Sequence, residues 1–593
     1  MKKQGKRPYE KNKYVFWFGA FLLFLGVVLL FSIYLMNMGP ALRAVLKVTV
    51  NAEEVTDMSF LLLEQDKKLQ SDEDVMVNIS WQKDRDGKHN YLFLPAFADL
   101  SDVSIVLEQD ENEPGEEISF ESSNLGKNLQ SGDTAMRKLD LQSGDTAMRK
   151  LDLRPGDTAM TKLDLQPGDY TITVNGEQTD FTIMKSERMP SMWIETEEDF
   201  AYLQEDKEHT SSGYMHIYSE KGLTTYLGEI ERMSGHGNST WGSPKKSFSL
   251  RLEKDGNLLD MGSSNKWVLI SNGMDHSLLR NKLVYDMAKE CRLSGSIDSE
   301  WTDLYVNGVY QGLYLLTEKI DISSSGLDIG NLEKDTAKVN QAPLDSYDSY
   351  AVDTGVAYVQ AWQIPENPAD ITGGYLMEID YPARYDAEPS KFRTKQNQYV
   401  VLKNPSYATP EQIHYIFGFV QNFEDALYDE KGINESGISY LTYMDLESFA
   451  GRYVLDEITK NIDAGYSSYF FYKPRYVDKL YAGPVWDYDT AFGNAGEQWE
   501  SPDGFYVNQA GWSEQFYQKP EFREEAIRQY RKIYAPYLEQ VLEKKYDAYL
   551  DYIRASACMD QALWMVHDME QEWEEVRSFI WERKAFLDEE WGE

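Results

Sequence analysis

The stretch Asn461-Ile-Asp463-Ala-Gly-Tyr-Ser-Ser468-Tyr-Phe-Phe-Tyr-Lys-Pro474, followed by Lys479-Leu-Tyr-Ala-Gly-Pro-Val-Trp486-Asp487-Tyr-Asp489, decides how the rest of the chain is read. Its middle reads as a β-hairpin. Tyr469 to Lys473 is aromatic and strand-prone, Arg475 to Asp478 makes a polar turn, and Leu480 to Val485 returns. Residues equally far from the turn lie opposite each other in an antiparallel pair. Asp463 stands about as far before the turn as Asp487 stands after it, so the two carboxylates are expected to converge. Converging acids, one on a loop and one just past a returning strand, suit the holding of substrate and Mg2+ in phosphoryl transfer. The plainer alternative is two surface aspartates bracketing an ordinary hairpin.

Working outward, Pro410 to Tyr428 and Asp445 to Lys460 read as amphipathic helices, the second running straight into Asn461. Gly373 to Asp380 reads as a strand after an irregular, polar stretch from Asp335 to Pro365. Asp303 to Glu318 reads as a hairpin turning at Asn307-Gly308. Asp275 to Glu290 is expected to be a helix capped by Asp275, with Leu278, Leu279, Leu283 and Met287 on its apolar face. Gly213 to Ile217, Leu227 to Arg232, Pro244 to Leu252 and Trp267 to Ser271 read as strands. Gly235-His-Gly-Asn-Ser-Thr-Trp241 makes a tight glycine-bearing loop among them. Lys246 shares the parity of Phe248, Leu250 and Leu252, which turns its base to the core side beside that loop. An inward lysine there is a candidate phosphate ligand, and the alternative is a strand-start lysine snorkelling to solvent. Glu521 to Glu590 reads as helical and as a packing layer.

The 593 residues are too many for one ordinary core, so two or more domains are expected. The 99 acidic residues against 59 basic ones give a net charge of −40, which repels nucleic acid and favours a basic protein partner. Cys291 and Cys558 lie far apart and show no metal-ligand spacing. Lys2, Lys3, Lys6, Arg7, Lys11 and Lys13 precede an uncharged run from Tyr14 to Leu42, whose apolar heart is long enough to cross a bilayer. The positive-inside rule then puts the N-terminus in the cytoplasm and everything after residue 42 outside. Val45 to Val50, Val75 to Ser80, Tyr91 to Leu94 and Ser104 to Leu107 read as strands of a small β-sandwich. A twelve-residue repeat follows, Leu129 to Asp140, the identical Leu141 to Asp152, and Leu153 to Asp164. Its fourth start, at Leu165, turns into Tyr170 to Val174, expected to be the last strand of the sandwich.

Several blocks from Gly237 onward, in order, resemble the spore-coat protein kinase family known as CotH. They are Gly237 to Trp241 with Pro244-Lys-Lys-Ser247, Asp275 to Asn281, Asn307 to Tyr314 ending at Glu318, Glu378-Ile-Asp380, Asn461-Ile-Asp463 and Trp486-Asp-Tyr-Asp489. The resemblance covers roughly residues 190 to 590 and implies an atypical protein-kinase fold that binds ATP and Mg2+, or Mn2+, and phosphorylates serine on coat proteins. It puts Asp463 at the catalytic aspartate and Asp487 at the metal-binding aspartate, with Asp489 and Ser468 as further metal ligands. It also puts Lys245 or Lys246, Asn238 and Arg280 at the nucleotide, with Glu290 or Glu318 as the lysine's acidic partner. The chain departs from the family at two positions: His236 replaces a common arginine, and Ser468 stands where kinases place a metal-binding asparagine.

The expected architecture is α+β and membrane-anchored. Residues 1–13 form a cytoplasmic tail, 14–37 a transmembrane anchor, 43–185 a β-rich module carrying the repeats at 129–176, and 190–593 a two-lobed kinase-like domain. The expected activity is outward-facing transfer of the ATP γ-phosphate to serines of a basic, serine-rich surface protein. The competing expectation is a surface scaffold that keeps the fold without transfer, to which His236 and Ser468 incline. A hydrolase using the same acids is a third, without a nucleophile elbow or histidine-rich metal motif to support it.

Overall fold

The structure, a computed structural model, describes residues 42–50, 55–64, 75–101, 103–109, 118–122, 159–174, 177–323, 326–496, 500–509, 511–564 and 568–592. The expected anchor and the first two repeat copies lie outside the described residues. Among the described residues, no helix is long and apolar enough to cross a membrane. The chain divides into two compact units. The first holds the described residues up to Trp193 with His216–Leu227 and Gly308–Tyr310; the second holds Ile194–Met215, Gly228–Asn307 and the remainder from Gln311.

The first unit contains two five-stranded sheets. In one, Leu42–Val50 lies between Val55–Glu64, antiparallel, and Val103–Gln109, parallel. Alternation drives the burial: Leu46, Val48, Phe60, Leu62 and Ile79 are fully buried. The other sheet pairs Glu177–Lys185 with Asn90–Leu94 on one side and Gly168–Val174 on the other. The strand at Tyr170 to Val174 is therefore not the last of this module. The alternating Phe181 and Ile183, both buried, carry the chain through one strand more.

A closed barrel has the strands Ser191–Thr196, Thr210–Tyr218, Thr224–His236, Ser247–Asn257, Ser263–Ile270, Val309–Glu318 and Ser299–Val306 in spatial order. Met233, Leu250, Trp267 and Leu269 are buried on its inner face, while Arg251 between Leu250 and Leu252 is exposed. The last hairpin turns at Asn307 and Gly308, with φ of 50° and 79°, the left-handed pair that a two-residue turn requires. Within the barrel segment, the helix spans Arg280–Glu290 and not Asp275 onward. Leu278 has a φ of 60°, which breaks helical continuity. Asp275 acts one turn early, its carboxylate accepting from the amides of Ser277 at 3.1 Å and Arg280 at 2.8 Å.

A seven-stranded antiparallel sheet follows, in the order Ser349–Asp353, Tyr358–Trp362, Lys391–Arg393, Tyr399–Asn404, Tyr375–Ile379, Tyr469–Lys473 and Tyr481–Ala482. The stretch expected to be irregular, 335 to 365, thus supplies the edge strand, its neighbour and most of the helix Leu332–Val339. Helices Pro410–Tyr428 and Leu446–Thr459 match their expected spans, the first closed by a Thr409–Gln412 capping box. The C-terminal helices include Tyr546–Trp564 and Met569–Trp591, which bury Trp573, Arg583 and Trp591. The whole is a mixed α+β protein, as the sequence pattern indicated.

Candidate active-site cleft

The hairpin of the opening stretch forms in register, Phe471 opposite Ala482 and Tyr472 opposite Tyr481. Its two flanks then meet at the head of a cleft of about 620 Å³ in the second unit, between the barrel's outer face and the seven-stranded sheet. Helix Leu446–Thr459 stops at Lys460, whose φ of 45° turns the chain into the Asn461 loop. Asn461 is the brace. Its side-chain oxygen accepts from the Asp463 amide at 3.3 Å and the Thr490 hydroxyl at 2.9 Å, and its amide donates to the Asp487 carbonyl at 3.4 Å. From the other flank, the Tyr488 amide donates to Asn281 on helix Arg280–Glu290 at 2.9 Å. The Tyr488 hydroxyl donates to the fully buried Asp456 at 2.6 Å. Ser468 donates its hydroxyl to Asp487 Oδ2 at 3.1 Å.

These contacts hold three carboxylates, Asp463, Asp487 and Asp489, on one wall of the cleft. Burial, then the neighbouring Asp487 and Asp380 charges, push Asp463 up to about 6, with Arg384 opposing. Burial raises Asp487 too, against the Ser468 hydrogen bond and Arg384. Asp489 is raised well above the usual carboxylate range, by burial and then by Asp487, Asp275 and Asp463. Such mutual repulsion marks a wall short of positive charge. Among the described residues, no group of three His, Cys, Asp or Glu side chains closes a ready-made metal cage. Mg2+ does not require one, because it takes one or two carboxylates and completes its shell with water and substrate phosphate oxygens. Asp487 and Asp489 fit that donor set, with Ser468 orienting Asp487.

Cations line the rest of the cleft. Arg232, Arg251, Lys266 and Lys319 reach it from the barrel, and Arg384 and Lys403 from the second sheet and its following turn. Arg384 Nε lies 3.3 Å from the buried Asp380, which also accepts from Ser467 at 3.0 Å. Lys403 lies 3.3 Å from Glu378, whose carboxyl burial pushes up to about 7. His236 accompanies them without charge: burial, then Lys319, Arg384 and Lys207, drive its imidazole down to about 4, and Nδ1 lies 2.9 Å from the Ser249 hydroxyl.

Of the residues singled out from sequence, Asp463, Asp487, Asp489, Ser468 and Asn238 line the cleft. Lys245, Lys246 and Arg280 do not. The strand starts only at Ser247, so its alternation does not extend to the two lysines; Lys245 is buried against Asp560 at 2.5 Å and the Leu313 carbonyl at 2.7 Å. Lys246 instead donates to the Trp241 carbonyl at 2.5 Å, over the Trp241 ring. Arg280 is committed to Asp275 at 2.6 Å and to the Ala491 carbonyl at 2.9 Å. Neither proposed acidic partner meets these lysines: Glu290 lies 3.6 Å from Lys545, and Glu318 leaves Oε1 without a hydrogen bond. Lys266, Lys319, Arg384 and Lys403 escaped notice because single cations in strands carry no local signal.

The family model described as CotH kinase protein matches residues 233–587, more than half of the chain. No curated protein matches it.

Proposed function

The chain belongs to the CotH kinase protein family, and from that premise we propose that its cleft transfers the γ-phosphoryl group of ATP to a serine hydroxyl of a protein acceptor. The observation that carries the proposal is the meeting in one cleft of three crowded carboxylates, Asp463, Asp487 and Asp489, with the cations Arg384 and Lys403. That is the charge pattern a metal-bound polyphosphate complements. Asp463, on the loop side, is the group that accepts or orients the acceptor hydroxyl proton. Its raised affinity for protons, near 6, suits a base at neutral pH. Asp487 and Asp489 would hold a divalent cation, which when bound supplies positive charge against the triphosphate. Asn461 fixes the spacing of the two loops, and Ser468 holds the Asp487 carboxylate in orientation.

In the same reading the barrel and the seven-stranded sheet with its helices act as the two lobes of an atypical kinase. Residues 14–37 anchor the chain by a single span with the cleft outside the cell, acting on surface or coat protein. A second reading, a scaffold that binds without transfer, draws on the neutral His236 where the resemblance expects an arginine. Incubation with labelled ATP, Mg2+ and a serine-rich acceptor tests the choice. Phosphoserine formed by the wild-type chain and absent from Asp463→Asn and Asp487→Asn supports the enzyme. Nucleotide binding with no transfer to any acceptor or to the chain itself supports the scaffold.

A further inference from the structure

Four cations stand in a row across four neighbouring barrel strands. Arg232 lies opposite Arg251, and Arg251 lies opposite Lys266. On the next strand the Lys319 amide donates to the Lys266 carbonyl at 3.0 Å. Directly opposite residues point to the same side of a sheet, and like charges so placed destabilise it. The row faces outward, because Arg251 is exposed between the buried Leu250 and Leu252, and all four residues line the cleft. Arg251 has Glu231 at 2.9 Å and Lys266 has Asp321 at 2.5 Å. Among the described residues, neither Arg232 nor Lys319 has an ion pair. A chain of net charge −40 has no need of such a row for solubility. It is a concentration of positive charge against the character of the whole surface.

Its Arg232–Arg251 end is set apart from the acid wall. His236, on the same strand as Arg232, marks the acid end, since its ring lies 6.0 Å from that of Trp486, next to Asp487. Arg232 stands four residues earlier on that strand, about 13 Å away at the usual rise. Between them the strand and its neighbour present Ser234 and Ser249, a small polar floor. A triphosphate gripped at the acid wall leaves the far row to another anion.

We propose that the row is an acceptor-docking subsite and that it takes an acidic or already phosphorylated stretch of the protein acceptor beside the target serine. This rests on the kinase reading and deepens it by naming the class of acceptor. It also reverses the partner inferred from net charge: the chain as a whole favours a basic protein, whereas the cleft favours an acidic one.

The test uses the full chain and fluorescent serine peptides flanked by aspartate, by phosphoserine or by lysine. Binding is followed by anisotropy, in parallel with the Mg2+–ATP-induced shift in melting temperature. Peptides flanked by aspartate or phosphoserine bind more tightly than lysine peptides, and rising salt weakens them. Their affinity falls by about tenfold or more in the Arg232→Gln/Arg251→Gln double variant, while the nucleotide shift stays. Both positions are exposed, so the variant keeps its fold. Equal or tighter binding of lysine peptides overturns the inference. So does loss of the nucleotide shift in the double variant with peptide binding intact, which would assign the row to the nucleotide phosphates. Row-dependent binding of the acidic peptides without any phosphoryl transfer would uphold the subsite and count against the kinase reading alone.

Discussion

Asp463 concentrates the chemistry and its cost in one side chain. Its carboxyl is raised from 3.8 to about 6 in the folded chain. A carboxyl raised by folding contributes stability that is complete below about pH 4 and lost as pH rises through about 6. At neutral pH, without a cation on the acid wall, ionised Asp463 therefore costs a few kcal/mol. Two outcomes follow for Asp463→Asn. Its melting temperature exceeds that of the wild type at neutral pH and loses that advantage near pH 4, measured by calorimetry in buffers at both values. Its phosphoryl transfer falls by about two to four orders of magnitude, the range of a positioned base. In the wild type, kcat/KM rises through about pH 6 as the base ionises, and a profile flat across that region would remove Asp463 from the role.

The elements around Asp463 are held by a relay running inward from the loop. The Tyr506 hydroxyl donates to the Ile462 carbonyl at 2.7 Å, and its amide donates to Glu457 at 3.0 Å. Glu457 pairs with Arg583 at 2.9 Å, both fully buried. Tyr506→Phe should cost about 1 kcal/mol of stability and lower kcat more than it raises the nucleotide KM, because it loosens the loop and not the nucleotide wall. Arg583→Met leaves Glu457 buried without its partner and should cost about 3–5 kcal/mol, read by urea denaturation. Element by element, the hairpin was legible because Tyr469 to Lys473 is unbroken strand chemistry and both aspartates lie within reach of one turn. The helices Pro410–Tyr428 and Leu446–Thr459 were legible from their apolar period and caps. The alternation argument for Lys246 stops at a boundary: the strand begins only at Ser247, and the buried lysine is Lys245, paired with Asp560, 315 residues away. No local pattern encodes a partner that distant. The cation row was hidden likewise, since Arg232, Arg251 and Lys266 become neighbours only through barrel register.

For the whole molecule, net charge misdescribes the site: a chain of −40 builds a cleft with a cationic wall. The cysteines behave in keeping with their surroundings. Cys291 and Cys558 are both unpaired, and burial, then Glu290, raises the Cys291 thiol to about 12. Reductant should leave the melting temperature unchanged, and alkylation at about pH 8 should be slow in the native chain and fast in denaturant, followed by mass spectrometry. The fold class, the order of the second half and the acid wall were thus accessible from sequence. The cation wall, the extra strands of the first unit and the barrel closure were not, because each depends on pairing between distant segments. The central claim is that the acid wall, with Arg384 and Lys403 in the same cleft, binds a metal-bound nucleotide, and thermal denaturation with ATP, with and without Mg2+, tests it most directly. The account predicts a rise in melting temperature that requires Mg2+ and is lost in Asp487→Ala. An unchanged melting temperature with millimolar nucleotide and Mg2+, in wild type and variant alike, would contradict it.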